Sequence, residues 1–355
     1  MKKCTQKEIA RKTKISQTAV SIILNGSDVS HIPLSTIRRV KKEAQKCGYF
    51  AKADKLKKKV ITKNTHIAWL IGDSGSVLPQ QDLSGSHYYF EFFRGITTVL
   101  RANNMQLYIY NENDFPNIAQ ILRDEKIAGC IITVDIKPKL LKEISELVPV
   151  VFLGRQSDHI SADTVFPDNG NGMHCLMEFL TERNFTRIGF FGLKPFNYFT
   201  LTRWNAYKNY LTDRNLYDEE LVFIPERIKG GIPEINYFAK EAFTYWTSRN
   251  IMPQAVVTMY DGYAFGLLHA GVSKGICIPG QISVAGFENI SAGIYTNPAL
   301  TTIDQKKTRM GEIAAEMLCE RVGGYEGKSR KFLVEPELIE RDSVGFINVN
   351  TEKAG

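Results

Sequence analysis

Beyond His66 the chain alternates short apolar runs with longer amphipathic stretches, and this alternation restricts its fold more than any other feature. Ile67–Ile71, Gln106–Tyr110, Gly129–Thr133 and Val148–Leu153 read as buried strands, with helical patterns at Tyr89–Ala102 and Pro116–Asp124. A second series, Arg187–Phe191, Leu221–Phe223, Ala255–Thr258 and Ile282–Ala285, is separated by helical patterns near Gly172–Arg183, Asn197–Thr212, Pro233–Arg249 and Gly262–Ser273. Strands joined through helices pair in parallel and are covered on both faces. Two such series predict an α/β body of two Rossmann-like lobes. Ligands of such sheets bind beyond the carboxyl ends of the strands, so two facing lobes enclose a cleft. Closure about a hinge can then report whether the cleft is filled.

The N-terminal part is of another kind. Of the 45 Lys+Arg and 38 Asp+Glu, residues 1–63 hold 17 and 4, leaving 28 and 34 for the rest. A small basic module on a mildly acidic body implies that only the module meets a polyanion. No apolar stretch before Ile67 suits a signal peptide, and no run approaches the roughly 18 apolar residues of a membrane helix. Cys4, Cys47, Cys130, Cys175, Cys277 and Cys319 form no CxxC pair, which reads as reduced thiols in a cytoplasmic protein. The six His residues show no metal-ligand spacing, so neither a metal nor a cofactor is expected.

Within the module, Thr5-Gln6-Lys7-Glu8 has the form of a helix start, with a Thr cap and Glu three residues on. Ile9 and Ala10 face inward, Lys14-Ile15 turns the chain, and Ser16 can cap a second helix that stops at Asn25-Gly26. Val20, Ile23 and Leu24 share one face of that helix, leaving Gln17, Thr18, Ser21 and Ile22 on or near the other. A third helix, about Leu34 to Lys46, turns Ile37, Val40 and Ala44 inward. Two short helices and a tight turn make a helix-turn-helix, whose second helix enters the major groove. There Gln can pair with adenine, and Thr and Ile offer methyls to thymine. A plain helical hairpin with a solvated basic face is the competing interpretation.

The run Thr5…Glu8-Ile9-Ala10…Ile15-Ser16…Ala19-Val20-Ser21…Leu24-Asn25-Gly26, with Val40…Ala44…Gly48-Tyr49, resembles the DNA-binding headpiece of LacI/GalR-type transcriptional repressors. The resemblance implies base reading by Gln17, Thr18 and Ile22, and backbone contacts from Thr5, Ser16, Ser21, Asn25 and Thr36. Ile22 departs from the Arg of many relatives. The basic connector with Lys52, Lys55, Lys57, Lys58, Lys59 and Lys63 falls where relatives have a hinge helix that wedges a Leu into the minor groove. Phe50-Ala51-Lys52 replaces the usual Pro-Asn after Tyr49, and Leu56 sits about half a turn early; it is either the wedge or a solvated Leu.

The body carries the same resemblance at Val165…Asp168-Asn169…Gly172, Arg187-Ile188-Gly189-Phe190, Arg203…Ala206-Tyr207, Ile282-Ser283-Val284-Ala285-Gly286-Phe287, Leu300-Thr301-Thr302-Ile303 and Glu340-Arg341-Asp342-Ser343. It implies a headpiece at 1–50, a basic hinge at 51–64, a periplasmic-binding-protein-like body at 65–345 and a polar tail at 346–355. The first lobe is then about 65–165 with a return near 297–325, and the second about 166–296 and 326–345. By resemblance Arg203 holds an effector oxygen, its alternative being a surface salt bridge. Asp261 and Glu288 follow strands at the cleft edge, where carboxylates accept paired sugar hydroxyls; Asp261 alternatively caps its helix. Tyr260 stands where relatives usually have Asn, and Glu288 where they have Asp. Tyr88 and Tyr89 either stack on an effector or pack in the core, and Gly154 replaces an acidic position of some relatives. Asp168 and Asn169 are expected to cap the helix that follows.

The function so implied is a homodimeric repressor on a pseudopalindromic double-stranded operator, controlled by a small polar effector for which a carbohydrate is favoured. An enzyme lacks support, since there is no GxGxxG, Walker loop or GxSxG elbow. A transport solute-binding protein has no use for a basic helix-turn-helix, and a DNA reader whose cleft is inert is the remaining alternative. The short tail offers no heptad helix to join dimers. Replacing Ile22 by Arg is expected to move operator preference from a thymine methyl toward guanine at one base pair per half-site. Selection of bound duplexes checks this, and an unchanged consensus contradicts the placement.

Overall fold

The structure, a computed structural model, describes residues 5–25, 36, 39–40, 43–44, 65–72, 83–111, 113–194, 198–225 and 232–347. The chain divides into two compact units, one from residues 1–60 and one holding nearly all the rest.

In the first unit, α1 (Gln6–Thr13) begins in a capping box: the Glu8 N–H donates to Thr5 Oγ1 at 3.3 Å, and the Thr5 N–H to Glu8 Oε2 at 2.8 Å. Lys14, at φ 54°, ends it in the left-handed conformation and turns the chain. The Ala19 N–H donates to Ser16 Oγ at 3.2 Å, which caps α2 (Gln17–Asn25). Ile9, Ala10, Val20 and Ile23 pack with Val40 and Ala44, both helical, in a core of their own. Leu24 is only partly buried against it. Leu56 and the basic hinge lie outside the described residues.

The second unit holds two parallel sheets. The first contains β1 (Thr65–Leu70), β2 (Met105–Tyr110), β3 (Ile127–Ile132), β4 (Val150–Leu153), β5 (Asp163–Pro167) and β11 (Lys331–Val334), in the order β11-β5-β4-β3-β1-β2. The second contains β6 (Ile188–Phe191), β7 (Val222–Phe223), β8 (Ala255–Thr258) and β9 (Ser283–Ala285), in the order β7-β6-β8-β9. Each has a helix-filled core on its faces. A short antiparallel pair, β10 (Thr302–Asp304) with β12 (Glu337–Ile339), carries the chain from the second lobe to the first and back.

The expected strands are all present, within a few residues. Four others, β5, β10, β11 and β12, have no counterpart in the periodicity reading, nor do the helices Pro138–Leu147 and Lys307–Val322. The lobe division differs in one segment. The resemblance places residues 326–345 entirely in the second lobe, but β11 pairs with β5, Lys331 opposite Thr164 through Val334 opposite Pro167. The chain therefore completes the first sheet before β12 returns it. A buried carboxylate fixes this edge. Asp163, wholly buried, accepts from Arg321 Nε and Nη2 at 3.0 and 2.8 Å, from Arg330 Nη2 at 2.7 Å and from the Arg330 N–H at 2.8 Å. Both guanidinium groups hold its carboxyl below the usual range against the opposing effect of burial.

The α-helices of this unit are α3 (Leu83–Ala102), α4 (Ile118–Asp124), α5 (Pro138–Leu147), α6 (Asn169–Glu182), α7 (Tyr198–Thr212), α8 (Ile232–Ser248), α9 (Asp261–Lys274) and α10 (Lys307–Val322). Helix α10 lies close on α3 because each offers a glycine at the crossing. A Cβ on Gly95 would stand 2.0 Å from the Thr308 carbonyl oxygen, and one on Gly311 2.5 Å from that of Phe92. Backbone cannot yield as a flexible side chain can. Gly311→Ala is therefore expected to destabilise the body by about 1–3 kcal/mol despite the better helix propensity of Ala, as read from urea unfolding.

Candidate functional site

Where the two sheets end and the chain crosses between them, a set of polar side chains is buried together. Asn169 opens α6 just after β5, Arg203 lies in α7 after β6, and Tyr260 and Asp261 start α9 after β8. Glu288 follows β9, while Gln305 and Lys307 follow β10. Asn169, Arg203, Asp261, Glu288, Gln305 and Lys307 are each less than 9% exposed.

Arg203, 3% exposed, donates Nε to Asn169 Oδ1 at 2.8 Å and Nη1 to the Met259 carbonyl at 2.8 Å. Its guanidinium carbon lies 4.1 Å from the Phe287 ring centroid and 4.9 Å from that of Tyr260. This is a buried, ring-flanked cation and not a surface salt bridge. Nη2 has no hydrogen-bond partner among the described residues. Asn169 Oδ1 accepts a second bond from Gln305 Nε2 at 3.2 Å, and Gln305 Oε1, also buried, has no donor.

Asp168 caps α6 as expected, accepting from the Asn171 N–H at 3.0 Å. Asn169 does not share that role; it anchors Arg203. The proposed use of Asp261 needs correction as well. It lies one residue inside α9, whose cap position Tyr260 makes no side-chain bond. Its Oδ2 accepts from the Ile290 N–H at 2.7 Å and its Oδ1 from the Thr302 hydroxyl at 2.6 Å. With no exposed surface and both oxygens committed, it ties α9 to the crossing strand and does not cap the helix. Burial raises its carboxyl.

Glu288 is different. It is 7% exposed, and its carboxylate takes no hydrogen bond among the described residues; its charged neighbour Arg203 Nη1 stands 3.9 Å from Oε1. Its backbone at φ 128° is a conformation side chains rarely adopt. It is held by its N–H on the Ile303 carbonyl at 2.8 Å and by Lys307 Nζ on its own carbonyl. Burial pushes its carboxyl up to about 7, Arg203 and Lys307 pulling it down and Asp261 adding to the rise. Tyr260, pushed up to about 12 by burial, stays neutral beside it.

Tyr89 packs against Trp69 and Phe92 at 6.1 and 6.5 Å between centroids, which favours its packing role. The side chain of Tyr88 lies outside the described residues. At Gly154 the backbone has φ 70°, so the turn after β4 itself favours glycine there. Sequence reasoning passed over Gln305 and Lys307; the only signal was their position just after Leu300-Thr301-Thr302-Ile303. In the other unit, Gln17 and Thr18 are exposed on α2, Ser21 and Ile22 half-buried, and Thr36 half-buried. Thr5 and Ser16 are exposed cap residues, and the side chain of Asn25 lies outside the described residues.

Comparison with known proteins agrees with this geometry. Residues 177–344 match the family model of a periplasmic binding protein-like domain. The chain is 26% identical over 347 residues to the transcriptional repressor PurR of Vibrio atlanticus, covering 97% of this chain and 99% of that one. Its identity to PurR of Mannheimia succiniciproducens is 24%, over 96% and 98%. Among solved structures, the transcriptional regulator CelR in complex with cellobiose superposes with TM-score 0.66 at 19% identity, over 96% of this chain and 99% of that one. A LacI-family regulator of Enterococcus faecium with bound ribose gives 0.67 at 20%, over 80% and 100%.

The raised carboxyl at Glu288 makes stability depend on pH. Its value of about 7 exceeds the ordinary 4.5, so the fold prefers the neutral acid. That contribution is complete below pH 4.5 and is lost as pH rises through 7. Glu288→Gln removes the dependence, and at pH 8 it is expected to be more stable than the parent by roughly 1–3 kcal/mol, the difference vanishing near pH 4. Urea unfolding at the two pH values checks this.

Proposed function

This chain is a transcriptional regulator of the LacI/GalR type, and from that premise we propose that it is a dimeric repressor whose operator affinity is set by a small polar effector held at Arg203 and Glu288. The observation that carries the reading is that one chain combines an exposed polar face on a capped recognition helix with a buried polar junction in which Arg203 Nη2 and the Glu288 carboxylate take no hydrogen bond among the described residues. The two halves of the task fall to separate units. Gln17, Thr18 and Ile22 read bases, Thr5, Ser16, Ser21, Asn25 and Thr36 grip the backbone, and Leu56 wedges the minor groove.

In the body, the effector joins groups from different crossings, so it binds one lobe arrangement better than the other. Only that difference can alter DNA affinity, and about 1–3 kcal/mol is an ordinary coupling. Tyr260, half-buried beside Arg203, is the apolar wall on which a small ring would lie. A carbohydrate is the favoured class; solved regulators named with cellobiose and ribose support it. No step is chemical: the chain binds, and does not transform, its ligand. Two copies on one operator place two recognition helices about one DNA turn apart.

Selection of bound sequences from a random duplex library, at stated salt, is expected to return a pseudopalindrome one to two helical turns across. Loss of all sequence preference, with binding that only fades as salt rises, would reject the repressor reading.

A further inference from the structure

We propose that the outer edge of β11 is a docking site for a second copy of this chain: two β11 strands pair antiparallel across a two-fold axis at Leu333 and so join one operator-binding dimer to another. The contact lies wholly within the body and involves neither the junction at Arg203 nor the headpiece.

β11 ends the first sheet, with β5 on one side and no strand on the other among the described residues. The carbonyls of Arg330 and Val334 accept from the Thr164 and Asp168 N–H groups, at 2.8 and 3.0 Å. Backbone groups alternate sides along a strand, so Phe332, opposite Val165, also turns toward β5. Lys331 and Leu333 therefore direct their N–H and C=O groups away from the sheet, and Glu335 follows directly after the strand. Phe332 is 43% and Leu333 50% exposed, which leaves apolar surface open on both faces of this edge. Arg330, bonded to Asp163 through its N–H at 2.8 Å and its Nη2 at 2.7 Å, already fixes the start of the strand. Little ordering entropy is then left to lose when a partner arrives.

Charge identifies the occupant. Lys331-Phe332-Leu333-Val334-Glu335 has a cation at one end, an anion at the other and apolar residues between, and both charged residues are exposed. In an antiparallel pair, outward-pointing residues must face outward-pointing residues. With Leu333 opposite its own copy, Lys331 of each strand stands opposite Glu335 of the other, so both charges are matched at once. A parallel pair in register sets Lys331 beside Lys331, and a shift of two residues sets it opposite Leu333. An edge lysine ordinarily discourages strand pairing; here it discourages every pairing but one. The opposite edge strand, β2, has no charged residue and offers no such match.

So short an edge makes a weak contact between free molecules. It strengthens when two dimers sit on one DNA, where each holds the other at a high effective concentration. Regulators at separate operators would then bind cooperatively.

Sedimentation equilibrium of the full-length protein at low salt is expected to show dimers associating further as concentration rises. Leu333→Pro removes an outward N–H and takes no bond from β5, so it should abolish this step and leave the dimer folded. Lys331→Glu and Glu335→Lys should each weaken the step about tenfold, and the double variant should restore it. Under mild oxidation Leu333→Cys is expected to give disulfide-linked pairs, with Cα atoms about 5.5 Å apart across the axis. Lys331→Cys, on the order of 13 Å from its own copy, should not; the parent protein accounts for the native cysteines. Circular dichroism establishes that each variant is folded, and the charge swap decides alone if Leu333→Pro is not.

Several outcomes overturn the proposal: no species beyond a dimer at any concentration reached, association that Leu333→Pro leaves intact, a double variant that does not restore it, or cross-linking at 331 and not at 333. Collapse of Leu333→Pro to monomers that no longer bind DNA would make β11 the interface of the operator-bound pair itself, and would overturn its role as a second contact. A protein that associates as expected yet selects no DNA sequence leaves the contact standing and removes only the repressor reading.

Discussion

A single amide oxygen, Oδ1 of Asn169, accepts from Arg203 Nε and from Gln305 Nε2, and through these two bonds three separate stretches of chain meet. One stretch has just left the first sheet, one is the helix behind the second sheet's first strand, and one has just crossed back along β10. Buried donors without acceptors cost more than the net worth of a made hydrogen bond. The lobes therefore cannot shift past one another freely without finding new partners for these groups. Asp261 repeats the arrangement, binding the start of α9 to Ile290 and Thr302 on the same crossing. The junction is the mechanical centre of the body because its polar groups answer to several segments at once.

Much of the fold is legible in the chain because the signals are local. A buried parallel strand such as β1, with Ile67–Leu70 all buried, is a continuous apolar run, and the helix after it, α3, has its own period; neither needs knowledge of a distant partner. The elements that escaped are those whose reason for being lies elsewhere. β11 has exposed Phe332 and Leu333 in succession and no alternation, and it is a strand because Arg330 is pinned to Asp163 and the edge of β5 is open to it. Helix α10 fits against α3 through Gly311 and Gly95, and that closeness is a property of the pair.

The site shows the same limit more sharply. Arg203 and Glu288 could be placed at a cleft by resemblance, and the structure brings them together. Whether a carboxylate after a strand is a cap, a ligand or a brace is not a local property. For Asp261 the answer comes from Ile290 and Thr302, 29 and 41 residues away. For Asn169 it comes from an arginine 34 residues on, which is why its apparent role in capping α6 was the wrong inference. Gln305, whose carbonyl oxygen has no donor, had no signal of its own beyond the Thr-Thr-Ile run before it.

A polar junction of this kind is less stabilising than a hydrophobic one of the same volume, since every charge in it has lost water. For a switch that is an advantage. An apolar interface between the lobes would hold one arrangement firmly, and a small ligand could not supply the several kcal/mol needed to reverse such a preference. Here the strained backbone at Glu288 and a carboxylate that takes no hydrogen bond among the described residues are both unfavourable features. A ligand that relieves them in one lobe arrangement more than in another has its leverage built in. The departure from Asp to Glu at position 288 then acquires a physical sense. The longer side chain brings the carboxyl to within 4 Å of Arg203 without closing a hydrogen bond.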